Sequence, residues 1–284
     1  MKSDWVMDGS APPKRMEMGQ LKPLQNHKGH KLLQRREARR RLVDLELPEL
    51  VAGQIGELIE EHLKRQRLAK HGFEPRNRVI LIGPPGNGKT SLAEAIAAEL
   101  RLPFYVVRYS GVVSSGLGET TQMMVKVFEE AATQPCVLFF DEFEGVGRSR
   151  GKAGGDSASG EITRMVGALL MEIERLPSTV IAVAATNHAG MLDRAMERRF
   201  QIRLTLPGPT IEQARKFLDR IGAAHLAEEL AATNFSELEE FLVDVERRAA
   251  LSDEDESLAT LAERRLVLWK QRAEVGRAEG KAKG

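Results

Sequence analysis

The residues best suited to chemistry lie in one run, Gly83-Pro84-Pro85-Gly86-Asn87-Gly88-Lys89-Thr90. The run fits G-x-x-x-x-G-K-[ST], the pattern of a phosphate-binding loop. Glycines let the backbone turn its N–H groups toward phosphate oxygens, and the dipole of a following helix adds positive charge at the same place. Lys89 can then reach the β- and γ-phosphates of a nucleotide, and the Thr90 hydroxyl can ligate Mg²⁺.

The sequence on both sides of this loop supports the assignment. Val79-Ile80-Leu81-Ile82 is a short apolar run and is typical of a buried strand. The segment from Ser91 to Leu100 is rich in Ala, Leu and Glu, which predicts a helix. Ser91 completes the predicted nucleotide-binding set. A glycine-rich turn with a chance lysine is the alternative, and these flanks argue against it.

A pair of carboxylates follows about 50 residues later. The apolar run from Val137 to Phe140 predicts a buried strand, and Asp141 and Glu142 come directly after it. The carboxyl ends of strands in open α/β sheets are where ligands bind. Asp141 can orient Mg²⁺ through its water shell, and Glu142 can polarise a water for attack on the γ-phosphate. An acidic strand-to-loop junction is the alternative interpretation.

Another apolar run, from Thr179 to Ala185, ends in Thr186-Asn187. Asn187 could hold the attacking water by hydrogen bonds, although an Asn in a turn is the plainer interpretation. A short helical segment then ends at Arg198 and Arg199, and a fifth strand is predicted from Gln201 to Leu206. Taken alone, the two arginines could be no more than a solvated basic pair.

Composition sets the broad class of the protein. The chain has 284 residues, a 42% apolar fraction and a net charge of +1, so it can bury a core and shows no overall bias toward nucleic acid. Cys136 is the single cysteine, which excludes a disulfide framework and a cysteine-cluster zinc site. The sequence has no apolar run of the length that spans a membrane and no hydrophobic leader, so we expect a cytoplasmic protein without a membrane partner.

Changes in composition divide the chain into four parts. Residues 1–47 form a basic arm, interpreted as a partly disordered tail or as a docking arm for an acidic partner or nucleic acid. Residues 48–206 carry the motifs, and Pro207-Gly208-Pro209 precedes a small α-helical lid over residues 207–251. Capping boxes are predicted at Thr210/Gln213 and Ser236/Glu239. Residues 252–284 form an acidic linker, a helix and a basic tail.

In combination, residues 48–250 resemble the AAA+ ATPases and, within them, the AAA family of ring-forming remodellers. The resemblance rests on the loop at 83–90, on Phe140-Asp141-Glu142, on Ala184-Ala185-Thr186-Asn187 and on the segment 192–200. It implies an α/β fold with a parallel five-stranded sheet between helices, a helical lid, and ATP with Mg²⁺ at their junction. It also gives Asn187 the sensor-1 role and makes Arg198 and Arg199 the arginine fingers that reach the γ-phosphate of a neighbouring subunit. The expected assembly is a homo-oligomeric ring, with a hexamer as the expected size.

Two departures from the family pattern bear on function. Family unfoldases usually place an aromatic residue ahead of the Gly-Glu pair of the first pore loop, and Gly116 stands there in this chain. Glycine offers no surface with which to grip a polypeptide, which puts threading in doubt. The lid shows no evident sensor-2 arginine, and the chain contains no His-Glu-x-x-His protease motif.

Three functions are therefore kept open. The first is an ATP-hydrolysing remodeller of an unidentified protein client. The second is an ATP-switched regulatory module that controls a separately encoded effector, such as a protease or a toxin. The third and least favoured is a nucleic-acid-linked ATPase that uses the basic stretch between Lys28 and Arg41.

Overall fold

The computed structural model of the chain describes residues 33–107, 117–143, 167–187, 198–252 and 256–282. The described strands are β1 (Leu33–Arg36), β2 (Arg78–Ile82), β3 (Phe104–Val107), β4 (Cys136–Phe140), β5 (Val180–Thr186) and β6 (Ile202–Thr205). The described helices are α1 (Glu49–Leu63), α2 (Arg65–Lys70), α3 (Lys89–Leu100), α4 (Leu117–Ala131), α5 (167–175), α6 (Ile211–Leu218), α7 (Ala227–Leu230), α8 (Phe235–Ala250) and α9 (Leu258–Ala282).

The described strands form one sheet in the order β1-β3-β4-β5-β2-β6. Strands β2 to β6 run parallel, which confirms the α/β fold and the five parallel strands expected from the sequence. Strand β1 adds a sixth strand, which pairs antiparallel with β3. The sequence assigns this strand to the basic arm, because Leu33 is the only apolar residue among its four.

The sheet is buried on both faces, which explains the unbroken apolar runs of its central strands. Every residue of β4 and β5 is buried. One face packs with α4 and α5 through side chains that include Leu138, Phe140 and Phe128. The other face packs with α1 and α3 through side chains that include Ile55, Leu92 and Phe139.

The segment between β1 and α1, residues 37–47, lies on the α1/α3 side of the sheet, and we call it the N-terminal strap. Four of its apolar side chains are partly buried against the second of these cores, namely Ala38, Leu42, Leu45 and Leu47, while Val43 is exposed. The strap also contains a 3-10 turn at Leu42–Asp44. The strap is therefore packed against the nucleotide-binding domain over most of its length.

Helices α6 to α8 form the expected helical lid, and α9 packs with them. Their shared core includes Leu218, Leu238 and Phe241, together with Leu261 and Leu266 of α9. The sequence places α9 outside the lid, and the domain limits at residues 48, 207 and 252 remain predictions. No helix in the described part of the chain has the length and apolarity that crossing a bilayer requires.

The structure confirms one of the two predicted capping boxes. At the start of α6, Gln213 N–H donates to Thr210 Oγ1 at 3.2 Å, and Thr210 N–H donates to Gln213 Oε1 at 3.0 Å. The second prediction, Ser236/Glu239, is wrong, because α8 begins earlier with Asn234 and Glu237 as its box. Asn234 is an equally good cap, and Ser236 lies inside the helix, where its hydroxyl donates to Gly86 O at 3.2 Å.

Candidate functional site

The predicted phosphate-binding loop lies between β2 and α3, and its glycines meet specific steric demands. A Cβ on Gly83 would lie 2.2 Å from the backbone oxygen of Leu206, which follows β6. Gly88 has a φ of +80° and precedes the first residue of α3, and the space around its Cα is open. The loop therefore leaves the N-terminus of α3 accessible, as an anion site requires.

Gly86 is the point where the loop touches the lid. Its φ is +78°, and a Cβ there would lie 2.4 Å from Oδ1 of Asn234, the cap of α8. The backbone N–H of Ser236 donates to Gly86 O at 3.0 Å. These lid residues were not predicted as part of the site. Only the helix-capping pattern near them could have drawn attention to the segment.

Lys89 is nearly enclosed, with 7% of its surface exposed. Its Nζ donates to Gly83 O at 2.6 Å, to Pro84 O at 2.8 Å and to Asn187 Oδ1 at 2.7 Å. A buried ammonium group needs such oxygen partners to offset its desolvation. The same geometry places a fixed positive charge inside the loop, where phosphate oxygens can replace the carbonyls.

The strand order brings the other predicted residues to the same edge of the sheet. Strand β5 lies between β4 and β2, with Ala184 opposite Phe140 and Thr186 opposite Ile82. The residues that follow these strands, Asp141, Asn187 and Gly83, therefore emerge side by side. This is the ligand-binding edge of a parallel α/β sheet.

The carboxylates after β4 are both exposed. Glu142 N–H donates to Asp141 Oδ1 at 3.0 Å, and Glu142 has a φ of +48°. A left-handed conformation is uncommon for a residue with a side chain and occurs often at functional sites. The turn thus presents two carboxylates to solvent beside the phosphate-binding loop.

Asn87, at the tip of the loop, has 5% of its surface exposed, and its Oδ1 has no hydrogen-bond partner among the described residues. A buried acceptor without a partner costs about 1–3 kcal/mol. A donor supplied by a bound molecule can remove that cost. Together with the open space at Gly88 and the buried Lys89, this acceptor fits a loop that receives a nucleotide.

The donors around the loop also suit magnesium. The Thr90 hydroxyl and the Asp141 carboxylate offer oxygen atoms, which are the ligands that Mg²⁺ prefers. Thr90 and Ser91 are half-buried, in the first turn of α3. Cys136 takes no part in this chemistry, since burial raises the pKa of its thiol to about 12.

The structure does not bring the two predicted arginine fingers to this edge. Arg198 and Arg199 precede β6, on the side of the sheet where the strands begin. Arg198 is exposed, and Arg199 pairs with Glu174 of α5. Within one chain, neither arginine lies at the site formed by the phosphate-binding loop and Asn187.

Several sequence predictions lie outside the described residues. These are the pore-loop position Gly116 and most of the segment 192–200.

Comparison with known proteins supports the same identification. The model of the family "ATPase family associated with various cellular activities (AAA)" matches residues 79–208. The chain is 40% identical over 161 residues to an uncharacterized AAA family ATPase of Sinorhizobium fredii, covering 57% of this chain and 48% of that protein. It is 34% identical over 174 residues to an ATP-dependent zinc metalloprotease of Sorangium cellulosum, covering 60% of this chain and 29% of the protease. It is 36% identical over 154 residues to a peroxisomal ATPase of Kluyveromyces lactis, covering 53% of this chain and 15% of that ATPase.

The chain thus spans about half the length of the first of these relatives and less than a third of the other two. The shared part contains the phosphate-binding loop, both carboxylates and Asn187 in the order that the sheet brings together. The chain therefore carries, over residues 79–208, a domain of the AAA ATPase family.

Proposed function

We propose that the chain binds ATP with Mg²⁺ at the loop from Gly83 to Ser91 and hydrolyses it, as a ring that remodels a protein partner. The observation that carries this proposal is the position of Lys89, whose buried ammonium group lies between two loop carbonyls and Asn187. AAA ATPases generally hydrolyse ATP and commonly form rings, which supports both parts of the proposal. The client is a protein that the chain's own sequence does not identify.

The residues of the site divide the work of hydrolysis. Bound ATP with Mg²⁺ supplies a γ-phosphoryl group whose charge the cation helps to neutralise. Lys89 and the loop N–H groups hold the phosphates, while Thr90 and Asp141 hold the cation. Glu142 accepts a hydrogen bond from the attacking water and aligns it. Asn187, whose Oδ1 accepts a hydrogen bond from Lys89 Nζ at 2.7 Å, would help to hold that water through its side-chain amide.

Assembly into a ring gives the two arginines a role. Arg198 and Arg199 lie where the strands begin, away from the loop of their own subunit, so in a ring they would serve the nucleotide of a neighbouring subunit and stabilise transition-state charge there. An arginine provided in trans makes hydrolysis depend on assembly. Mixing Arg199→Ala subunits with Lys89→Ala subunits should therefore recover part of the lost ATPase activity, and no recovery at any ratio would count against a trans arginine.

A regulatory binding module is the second candidate, and Gly116 at the pore-loop position favours it. In that case the ATP-bound ring holds an effector and releases it after hydrolysis. Both candidates predict a protein that stays bound while ATP cannot be hydrolysed.

A trap variant tests these proposals. Glu142→Gln should bind ATP and keep its partner, because the ATP state no longer discharges. We would capture this variant from a lysate of the source in ATP, wash it at high salt and identify what remains. The control is Glu142→Gln combined with Lys89→Ala, which should retain nothing. Nucleic acid alone, released as salt rises, would instead support the nucleic-acid-linked ATPase.

A further inference from the structure

The N-terminal strap contacts α3, the helix that begins at the phosphate-binding loop. Glu99, near the C-terminal end of α3, accepts a hydrogen bond from Leu42 N–H at 3.4 Å and pairs with Arg41 at 3.4 Å. Leu42 and Leu45 pack against the same core as α3. The strap and α3 therefore form one unit, and α3 begins at Lys89.

From this unit, the strap reaches the lid through two ion pairs. The Arg40 guanidinium donates to Glu239 Oε1 of α8 at 2.6 Å. Lys216 of α6 donates to both carboxylate oxygens of Glu46, at 2.7 and 2.9 Å. Both pairs join residues that are far apart in sequence, so each one links the lid to the strap.

Glu239 lies one turn after Ser236, on the first part of α8. Ser236 donates to Gly86 O through its backbone N–H at 3.0 Å and through its hydroxyl at 3.2 Å. The phosphate-binding loop is thus connected to the start of α8 in two ways. One is the direct contact of Ser236 with Gly86, and the other runs through α3, the strap and the Arg40–Glu239 ion pair.

We propose that Arg40 is a positioning residue for the nucleotide site, which holds the start of α8 against Gly86 and so slows nucleotide release. The inference rests on the proposed function, because it assigns a role in nucleotide retention. It also assigns the basic stretch of the arm a function that requires neither nucleic acid nor an outside partner. Arg40 acts through Glu239 and Ser236 and does not itself contact the nucleotide.

The test is a charge-reversal series at this pair. We would prepare Arg40→Glu, Glu239→Arg and the double variant, and measure the release of a fluorescent ADP analogue after a chase with unlabelled ADP. A partly exposed pair of this kind contributes enough to change the release rate about two- to fivefold. Each single reversal should speed release by at least about twofold, and the double variant should return toward the wild-type rate.

The matched control is Arg39→Glu, which changes the net charge equally one residue away. Among the described residues, Arg39 pairs with Glu37 of the strap at 3.6 Å, and both side chains are highly exposed. The ADP-analogue release rate of Arg39→Glu should equal that of the wild type. Arg40→Gln serves as the milder variant if the reversal does not fold, and melting temperatures identify variants that are unstable throughout.

A second measurement needs no nucleotide. Hydrogen exchange at the Ser236 amide reports its bond to Gly86 O, so exchange should be faster in both single reversals and normal in the double variant and in Arg39→Glu. If the wild type binds no ADP analogue, the proposed function fails and exchange alone decides the role of Arg40. Release and exchange that are unchanged by both reversals would overturn the inference.

Discussion

Gly86 offers a sharp test of the contact between the phosphate-binding loop and the lid. In Gly86→Ala, the new Cβ would lie 2.4 Å from Asn234 Oδ1 and 2.6 Å from Asn234 Cγ. Asn234 cannot move away without a cost, because its Oδ1 accepts the hydrogen bond from Glu237 N–H at 2.9 Å that caps α8. The substitution should therefore disturb the loop and the lid together.

The size of the effect follows from two contributions. An alanine at a φ of +78° costs about 1–2 kcal/mol in the left-handed region. Displacing the Asn234 cap costs about 0.5–2 kcal/mol more. Gly86→Ala should thus lower the free energy of unfolding by about 1.5–4 kcal/mol.

Two other glycines separate these contributions in urea unfolding followed by circular dichroism. Gly88→Ala has a φ of +80° but meets nothing within 4 Å, so it should show the backbone cost alone. Gly53→Ala, in the interior of α1 with open space around it, should be neutral or stabilise by about 0.5–1 kcal/mol. Adding Asn234→Gly to Gly86→Ala should recover part of the loss, because glycine caps a helix almost as well and removes the clash. Equal losses in Gly86→Ala and Gly88→Ala, without recovery in the double variant, would refute the contact.

Further expectations follow from Lys89, Phe139 and His62. Lys89→Met should weaken ATP binding by about 100-fold or more in calorimetry, because a charged phosphate contact is lost; affinity within a few-fold of wild type would remove Lys89 from the site. Phe139→Ala should cost about 3–5 kcal/mol of unfolding free energy, since the ring is fully buried, and a loss below about 1 kcal/mol would contradict that packing. Burial lowers the pKa of His62, whose Nε2 lies 2.7 Å from Arg76 O. The unfolded chain therefore takes up a proton below about pH 6.5 that the folded chain resists, so stability should fall as the pH drops from about 7 to 5, and the fall should shrink in His62→Gln. Identical profiles would show that His62 is not the group responsible.

Much of the fold and of the candidate site could be predicted because its signals are local. Strands β4 and β5 are unbroken apolar runs that end in polar residues, and the phosphate-binding loop has fixed spacing between a strand and a helix. Strand β1 gave no such signal, since its pairing with β3 depends on tertiary contacts that four mostly polar residues do not reveal.

Other features depend on contacts between distant residues. The bond from Lys89 to Asn187 joins positions 98 residues apart and requires β5 to lie beside β2. The helical stretch that starts at Glu49 is divided at Lys64 into α1 and α2, although no Gly or Pro marks a break there. The start of α8 was misplaced because two capping patterns overlap there, and only the contact of Ser236 with Gly86 shows which one is used.

The proposed role of Glu142 is to direct a water molecule at a nucleotide held by the loop around Lys89. The measurement is phosphate release from Mg-ATP by the wild type and by Glu142→Gln. It is made at protein concentrations below and above those at which the subunits assemble, and ATP binding is measured in parallel. Phosphate release by the wild type should rise per subunit with protein concentration. Glu142→Gln should bind ATP with near-normal affinity and release phosphate at least about 100-fold more slowly. Equal phosphate release by the two proteins, or no ATP binding by either, would contradict this role of Glu142.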